Sequence, residues 1–285
     1  MVNAPSRLKA ELQTGVVCGC AQPGSAGAPR IRTLKAGGES GKLQPVKISV
    51  VVPAFNEERL LGESLAQIKS AAHAFAQRGW DFELIVCDNN STDRTAEIAR
   101  AAGATVVFEP VNQIARARNS GAAAATGDWL IFVDADSHPN AGLFADVAEQ
   151  ISSGRCLAGG ATVRMDEKFF LSGFFTWTWN WSSRLGRLLA GSFIFVETAA
   201  FREIGGFNNE LFAAEELDLS KRLKRLARKT GRGIVILHSH PLVTSARKMR
   251  LYTAGDHLKL LVHVIFNRRA LTRRESCTLW YDGRR

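Results

Sequence analysis

At 285 residues, 46% apolar and 22% charged, the chain has the length and ordinary composition of a globular protein with one large α/β domain or two small ones. It holds no apolar run long enough to span a bilayer and no apolar segment after its first charges, which argues against a membrane span and a signal peptide. A net charge of +10 favours anionic partners, but without a homeodomain, zinc-finger or RNA-recognition signature nucleic acid is set aside.

Residues 1–45 are rich in Gly, Ala, Pro and Ser and read as a disordered leader ahead of a domain over residues 46–250. Residues 46–52 form the first strand, which Pro53 is expected to stop because proline cannot donate to a ladder. Asn56 is placed to cap the next helix, whose apolar face is Leu61, Leu65, Ile68, Ala72 and Phe75, with Gly79 at its end. A second strand, Phe82 to Cys87, leads through Asp88–Asp93 into a second helix ending at Gly103. A third strand over 104–108 and an alanine-rich helix over 115–125 follow. The unalternated run Trp129–Val133 then predicts a strand buried on both faces. This rhythm means a doubly wound, mostly parallel sheet with helices on both faces.

The second half predicts a helix over 141–151, strands over 156–163, 192–196 and 234–238, and a helix over 215–229 with Leu219, Leu223 and Leu226 on one face. Between them, Phe174, Phe175, Trp177, Trp179 and Trp181 show a period of two that hints at a strand, in a segment whose length suits a helix. Three roles stay open for them: stacking on sugar rings, a membrane interface, or core packing. The five cysteines are an odd number without metal-site spacing, consistent with reduced thiols in a cytoplasm.

Asp134 and Asp136 stand one alanine apart at the end of the buried strand, where residues two apart share a side. Two converging carboxylates repel unless a cation or a proton intervenes, and Mg²⁺ or Mn²⁺ favours such oxygens. The plain alternative is a pair of solvated acids at a strand end. No G-x-G-x-x-G turn, phosphate loop or G-x-S-x-G elbow is present. What remains is a sheet edge carrying Glu57, Asp88, Asp134 and Asp136, for which a metal-bound diphosphate is the natural occupant.

The segments Val51–Glu57, Val86–Asp93 and Ala117–Gly121, the Asp134–Asp136 pair, Gly205–Phe207 and Glu215–Leu219 together resemble family 2 glycosyltransferases of the GT-A fold, in the same order, over residues 46–250. The resemblance implies that Pro53, Ala54, Asn56, Glu57, Asp88, Arg118 and Asp134 line the nucleotide-sugar site, with Asp88 reading the base and UDP favoured. It implies Asp136, aided by Asp134, as metal ligand, and His240 as an additional one. Arg247 and Lys248 are placed to stabilise the departing diphosphate. Glu216 takes the position of the base in an inverting transfer, with Glu215 its rival.

The chain departs from the family where Asn89 and Asn90 replace an acid and a glycine, and where a Glu-Glu pair replaces Glu-Asp. Asn90 tolerates the left-handed backbone that the glycine would adopt. The signature of processive synthases is absent, so a single-sugar transfer is expected, to an unnamed acceptor, lipid-linked or glycan. The alternative is a non-catalytic nucleotide-sugar-binding or membrane-recruited scaffold on the same fold. The tail, residues 251–285, carries an apolar stripe at Leu258, Leu261, Val262 and Ile265 followed by arginines. It reads either as a peripheral anchor at the inner, cytoplasmic face of an anionic membrane or as a last core helix.

Overall fold

A computed structural model describes residues 45–166, 172–247 and 271–277. Its strands are β1 Lys47–Ala54, β2 Asp81–Asp88, β3 Thr105–Phe108, β4 Trp129–Val133, β5 Ser137–His138, β6 Cys156–Met165, β7 Phe193–Glu197 and β8 Gly233–Thr244. Its helices are α1 Leu61–Ala76, α2 Thr95–Ala101, α3 Ile114–Ala124, α4 Ala141–Ser152, α5 Ser172–Gly186, α6 Thr198–Glu203 and α7 Glu215–Thr230. A 3-10 turn covers Arg274–Cys277. The strands form one sheet in the order β3-β2-β1-β4-β7-β6-β8-β5. Pairing is parallel from β3 through β4 and between β6 and β8; β7 runs antiparallel to both β4 and β6, and β5 to β8.

The strands' period of two sorts their side chains into two cores. Val50, Val52, Ile131, Val133, Phe193 and Phe195 face the layer of α1 and α4. Val51, Leu130, Phe132, Ile194 and Val196 face α3, α6 and α7. Helix α1 buries the face expected from its spacing: Leu61, Leu65, Ile68, Ala72 and Phe75. Each of the larger side chains among them, the leucines, Ile68 and Phe75, contributes about 1.5–3 kcal/mol when taken from water. Helix α7 buries Leu219, Leu223 and Leu226 in the same way.

Two local expectations change. Pro53 does not end β1, because Pro53 pairs with Cys87 and Ala54 with Asp88. The Ala54 carbonyl accepts from Asn89 on the β2 side, so Pro53 faces the side where pairing with β4 has already ended at Val51, and no donor is missed. Asn56 does not cap α1, which starts after Leu60 without a side-chain cap. Asn56 instead has φ 51° and accepts at Oδ1 from the Thr92 N–H at 2.8 Å. The segment Ser172–Gly186, ambiguous in pattern, is a helix, whereas residues 248–270, with the expected anchoring stripe, lie outside the described residues. Within the tail, Leu271 and Cys277 are buried against Ala213, and the Leu271 carbonyl accepts from Phe212 N–H at 2.7 Å.

At the opposite edge of the sheet, Glu83 accepts from Ser49 and Thr126 and pairs with Lys47. Burial alone would raise its pKa, but these donors hold it down at about 2. Its contribution to stability is therefore present above the ordinary carboxylate value and is lost as pH falls toward 2.

Gly205 and Gly206 both have positive φ, and the turn they make is pinned by Asn119. Asn119 Nδ2 donates to Phe207 O at 2.9 Å and its Oδ1 accepts from Phe207 N at 2.9 Å. A Cβ on Gly206, φ 68°, would stand 2.6 Å from that Oδ1. Gly206→Ala is expected to destabilise the chain by about 1–3 kcal/mol, through left-handed strain and loss of this clamp. A urea midpoint equal to that of the parent would contradict this.

Candidate active site

The site forms where β1, β2 and β4 end and the loop before α7 crosses over them. The loops after β1 and β2 are laced together. Asn56 N donates to Ser91 Oγ at 3.0 Å, Glu57 N to Thr95 Oγ1 at 2.8 Å, and Glu58 N to Asp93 Oδ2 at 3.1 Å. Asp88, buried at the tip of β2, accepts at Oδ1 from Ser91 N–H at 3.0 Å. Asn90 has φ 66°, the left-handed conformation expected of it. Asn89 holds the loop after β3, donating to Val111 O at 2.6 Å and accepting from Gln113 N at 2.8 Å.

Arg118 is the hub. It comes from α3, is 1% exposed, and is therefore not on a solvated helix face. One terminal nitrogen donates to Glu215 Oε1 at 2.6 Å; the other donates to Asp134 Oδ1 at 3.0 Å and to Gly191 O at 2.8 Å. Its Cζ lies 5.2 Å from the centre of the Phe207 ring, a cation–π contact. The two flanking carboxylates together outweigh the cost of burying the guanidinium and hold its pKa above the usual value.

Arg118, Asp134, Gly191, Glu215 and Glu216 line a cavity of about 190 Å³. Glu215 is buried and committed to Arg118, while Glu216 is half-buried. Burial first, and then the neighbouring Glu215 carboxylate, push the Glu216 pKa up to about 8, with Arg118 pulling the other way.

Asp134 and Asp136 do not lie on a strand. β4 ends at Val133, and Ser137 N donates to Asp134 O at 3.0 Å, closing a turn over Asp134–Ser137. Strand alternation therefore does not orient the pair. Asp134 is half-buried in the cavity wall and Asp136 is buried in the turn, where its carbonyl accepts from Ser245 N at 3.1 Å. His240 is not brought to them. Its Nδ1 lies 2.9 Å from Asp146 Oδ2 on α4. On β8, Thr244 pairs with Ser137 beside Asp136. His240 falls in the irregular stretch of β8 between Leu237 and Leu242, where the register against Ala161 and Val163 of β6 shifts, and that irregularity leaves it with Asp146. Among the described residues no group of three or more His, Cys, Asp or Glu side chains is gathered for a metal.

Arg247 closes the other side of the edge. Its terminal nitrogen donates to both oxygens of Glu57, at 3.0 and 2.8 Å, joining the end of β8 to the loop after β1. The Nε atoms of Arg118 and Arg247 are buried and find no hydrogen-bond partner among the described residues. Sequence reasoning missed Gln113, a buried girder that donates to Asn209 O and Leu211 O, each at 2.8 Å. No local pattern marks it, because its partners lie almost a hundred residues away.

The sequence profile described as glycosyl transferase family 2 matches residues 49–201, more than half of the chain. The chain belongs to that family. An uncharacterized glycosyltransferase of Mycobacterium tuberculosis is 35% identical to this family 2 glycosyltransferase over 113 residues, covering 40% of this chain and 47% of that protein. The dolichol-phosphate mannosyltransferase of Pyrococcus furiosus is 29% identical over 124 residues, 41% of this chain and 33% of its own length. These matches thus span half or less of the relatives. Among solved structures, a mannosyltransferase of Pyrobaculum calidifontis in complex with GDP-Man and Mn²⁺ is similar with a TM-score of 0.57 and 18% identity, covering 84% of this chain and 71% of that one. The glucosyl-3-phosphoglycerate synthase of Mycobacterium tuberculosis, in complex with Mn²⁺, UDP and glucosyl-3-phosphoglycerate, has a TM-score of 0.54 and 21% identity over 82% of this chain and 80% of that one. At these identities the likeness establishes the GT-A fold.

Proposed function

We propose that this chain is an inverting glycosyltransferase that moves one sugar from a nucleoside-diphospho-sugar, a UDP-sugar first among candidates, to an acceptor hydroxyl. The observation that carries this reading is the cavity in which Arg118 from α3, Asp134 after β4 and the Glu215–Glu216 pair of α7 meet. Glu216 receives the proton of the acceptor hydroxyl as that oxygen bonds to the anomeric carbon. The bond from that carbon to the diphosphate breaks, and its electron pair leaves with the diphosphate. Attack from the face opposite the leaving group inverts the configuration. Glu215 holds Arg118 in place rather than taking the proton, because its carboxylate is already engaged.

The buried, unpaired Nε atoms of Arg118 and Arg247 suit the oxygens of a diphosphate. Pro53, Ala54, Asn56, Glu57 and Asp88 form the nucleotide end of the site in this reading, with the free carboxylate oxygen of Asp88 accepting a ring N–H. The donor set of Asp136 and Asp134 is all oxygen, which suits a hard divalent ion such as Mn²⁺ or Mg²⁺, and these two carboxylates would hold it. Such an ion, when bound, would supply positive charge to stabilise the leaving diphosphate. The complexes of the structural neighbours with Mn²⁺ and with UDP or GDP-Man support the metal and the donor class. The acceptor is proposed to be lipid-linked or a glycan, met at the cytoplasmic side of a membrane. The transferase domain is proposed to run over residues 46–250.

The test is a thermal-shift and turnover screen of nucleoside diphosphates and their sugars with and without Mn²⁺. Ligand at a hundred times its dissociation constant adds about 2.7 kcal/mol of stability. Asp136→Asn is expected to keep the fold but lose the Mn²⁺-dependent part of that shift. Equal shifts in parent and variant would remove Asp136 from the metal site, and a chain that binds donor yet turns over none would favour the scaffold reading.

A further inference from the structure

Helix α5 has a fixed rotation. Asn180 donates to Val163 O and accepts from Val163 N, both at 2.9 Å, which fastens one face of the helix to β6. Ser183 is buried on that face and Trp179 packs against the core. The opposite face then carries Trp177, Trp181 and Leu185, which are 64%, 59% and 72% exposed. They recur every four residues and so form one stripe, and the exposed Arg184, three residues beyond Trp181, lies along it. Large apolar side chains gathered in one exposed patch mark a contact surface.

Leu185 also lines a cavity of about 350 Å³ whose wall includes Arg187, Lys224, Arg228 and Arg232. Arg232 is neutralised by Glu197. Among the described residues, Arg187, Lys224, Arg228 and the adjacent Lys221 make no salt bridge. Lys224 donates to the Gly186 carbonyl, which ties the end of α5 to α7. Burial, and then the nearby charges of Arg228, Arg187 and Lys221, lower its pKa. Among the described residues, these cations thus stand close together without a salt-bridged acid.

A second copy of the chain would set this positive cluster against the same cluster, and a neutral sugar would leave it unpaired. A row of tryptophan and leucine ending in unpaired cations complements an anionic lipid surface. We propose that α5 and the second half of α7 form a membrane-docking face. Trp177, Trp181 and Leu185 enter the boundary between headgroups and acyl chains, and the basic cluster takes lipid phosphates, one of them in the cavity. Lys224 is eight residues beyond Glu216 on α7, about 12 Å along the axis, so the face lies beside the candidate active site. The inference is independent of the chemistry assigned to Glu216.

The experiment is flotation of the full chain with vesicles of phosphatidylcholine alone or mixed with phosphatidylserine, in low and high salt. Binding is expected only to the mixed vesicles at low salt. Arg187→Asn with Arg228→Gln, asparagine suiting the left-handed backbone at position 187, is expected to weaken it about thirtyfold. Trp177→Gln with Trp181→Gln is expected to weaken it about tenfold or more. All these side chains are exposed, so unchanged melting midpoints are expected to accompany the loss. Absence of binding to mixed vesicles at low salt overturns the proposal, as does parent-like binding by both double variants. Saturable binding of inorganic phosphate without vesicle binding would make this a small-anion site. A concentration-dependent dimer lost in the tryptophan variant, again without vesicle binding, would make it an interface between copies.

Discussion

Glu216→Gln is expected to preserve donor binding while sugar transfer falls by about 10² or more. Glutamine keeps the shape and loses the ability to take a proton, so the loss belongs to the chemical step. In the free chain the Glu216 pKa stands at about 8, and transfer by the parent should rise with pH until Glu216 is ionised. That rise should be missing from the residual activity of the variant. Stability provides a second readout with its own sign. The folded chain holds the Glu216 proton more tightly than the unfolded chain, whose value is near 4.5. Folding is therefore favoured most below 4.5 and loses ground as pH climbs toward 8, and Glu216→Gln should flatten that slope. Glu215→Gln should instead disturb Arg118, lowering stability as well as rate. A larger loss of transfer in Glu215→Gln, at equal stability, would give the base role to Glu215.

Arg118→Met is expected to destabilise the chain by about 3–5 kcal/mol, the largest effect on folding anticipated here. The guanidinium is fully buried and is shared by Glu215, Asp134 and the Gly191 carbonyl. Methionine fills much of the volume but leaves the Glu215 carboxylate buried with Glu216 beside it and without its cation. Arg118→Lys should recover only part of the loss, since one ammonium cannot reproduce a fork that serves partners on three segments. Thermal and urea denaturation check this, and a penalty within about 1 kcal/mol of the parent would show that the hub is dispensable. Because the carboxylates are left unpaired only while ionised, the penalty should shrink in acid.

Much of the architecture was legible along the chain because it rests on periodicity. Trp129–Val133 could bury both faces only inside a sheet covered on two sides, and Leu61, Leu65, Ile68, Ala72 and Phe75 could share a face only in a helix. The ordered motifs at strand ends also carried the family, since strands in this topology present their carboxyl ends along a common edge. Three-dimensional packing decided the rest. Strand alternation placed Asp134 and Asp136 together, but β4 stops at Val133 and a turn takes over. His240 follows the last predicted strand, yet β8 runs on to Thr244 through an irregular stretch between Leu237 and Leu242, which sets His240 on Asp146. Arg118 was placed at the nucleotide-sugar site by the family resemblance, but its burial between Glu215, 97 residues away, and Asp134 came only from packing. The tryptophans of α5 had a strand-like period of two in a segment of helical length; the structure makes the segment a helix, and Asn180 gripping Val163 fixes which face it exposes. Local spacing determines which side chains share a face, but which distant faces meet depends on chain closure, and that is where charges were buried and site partners chosen.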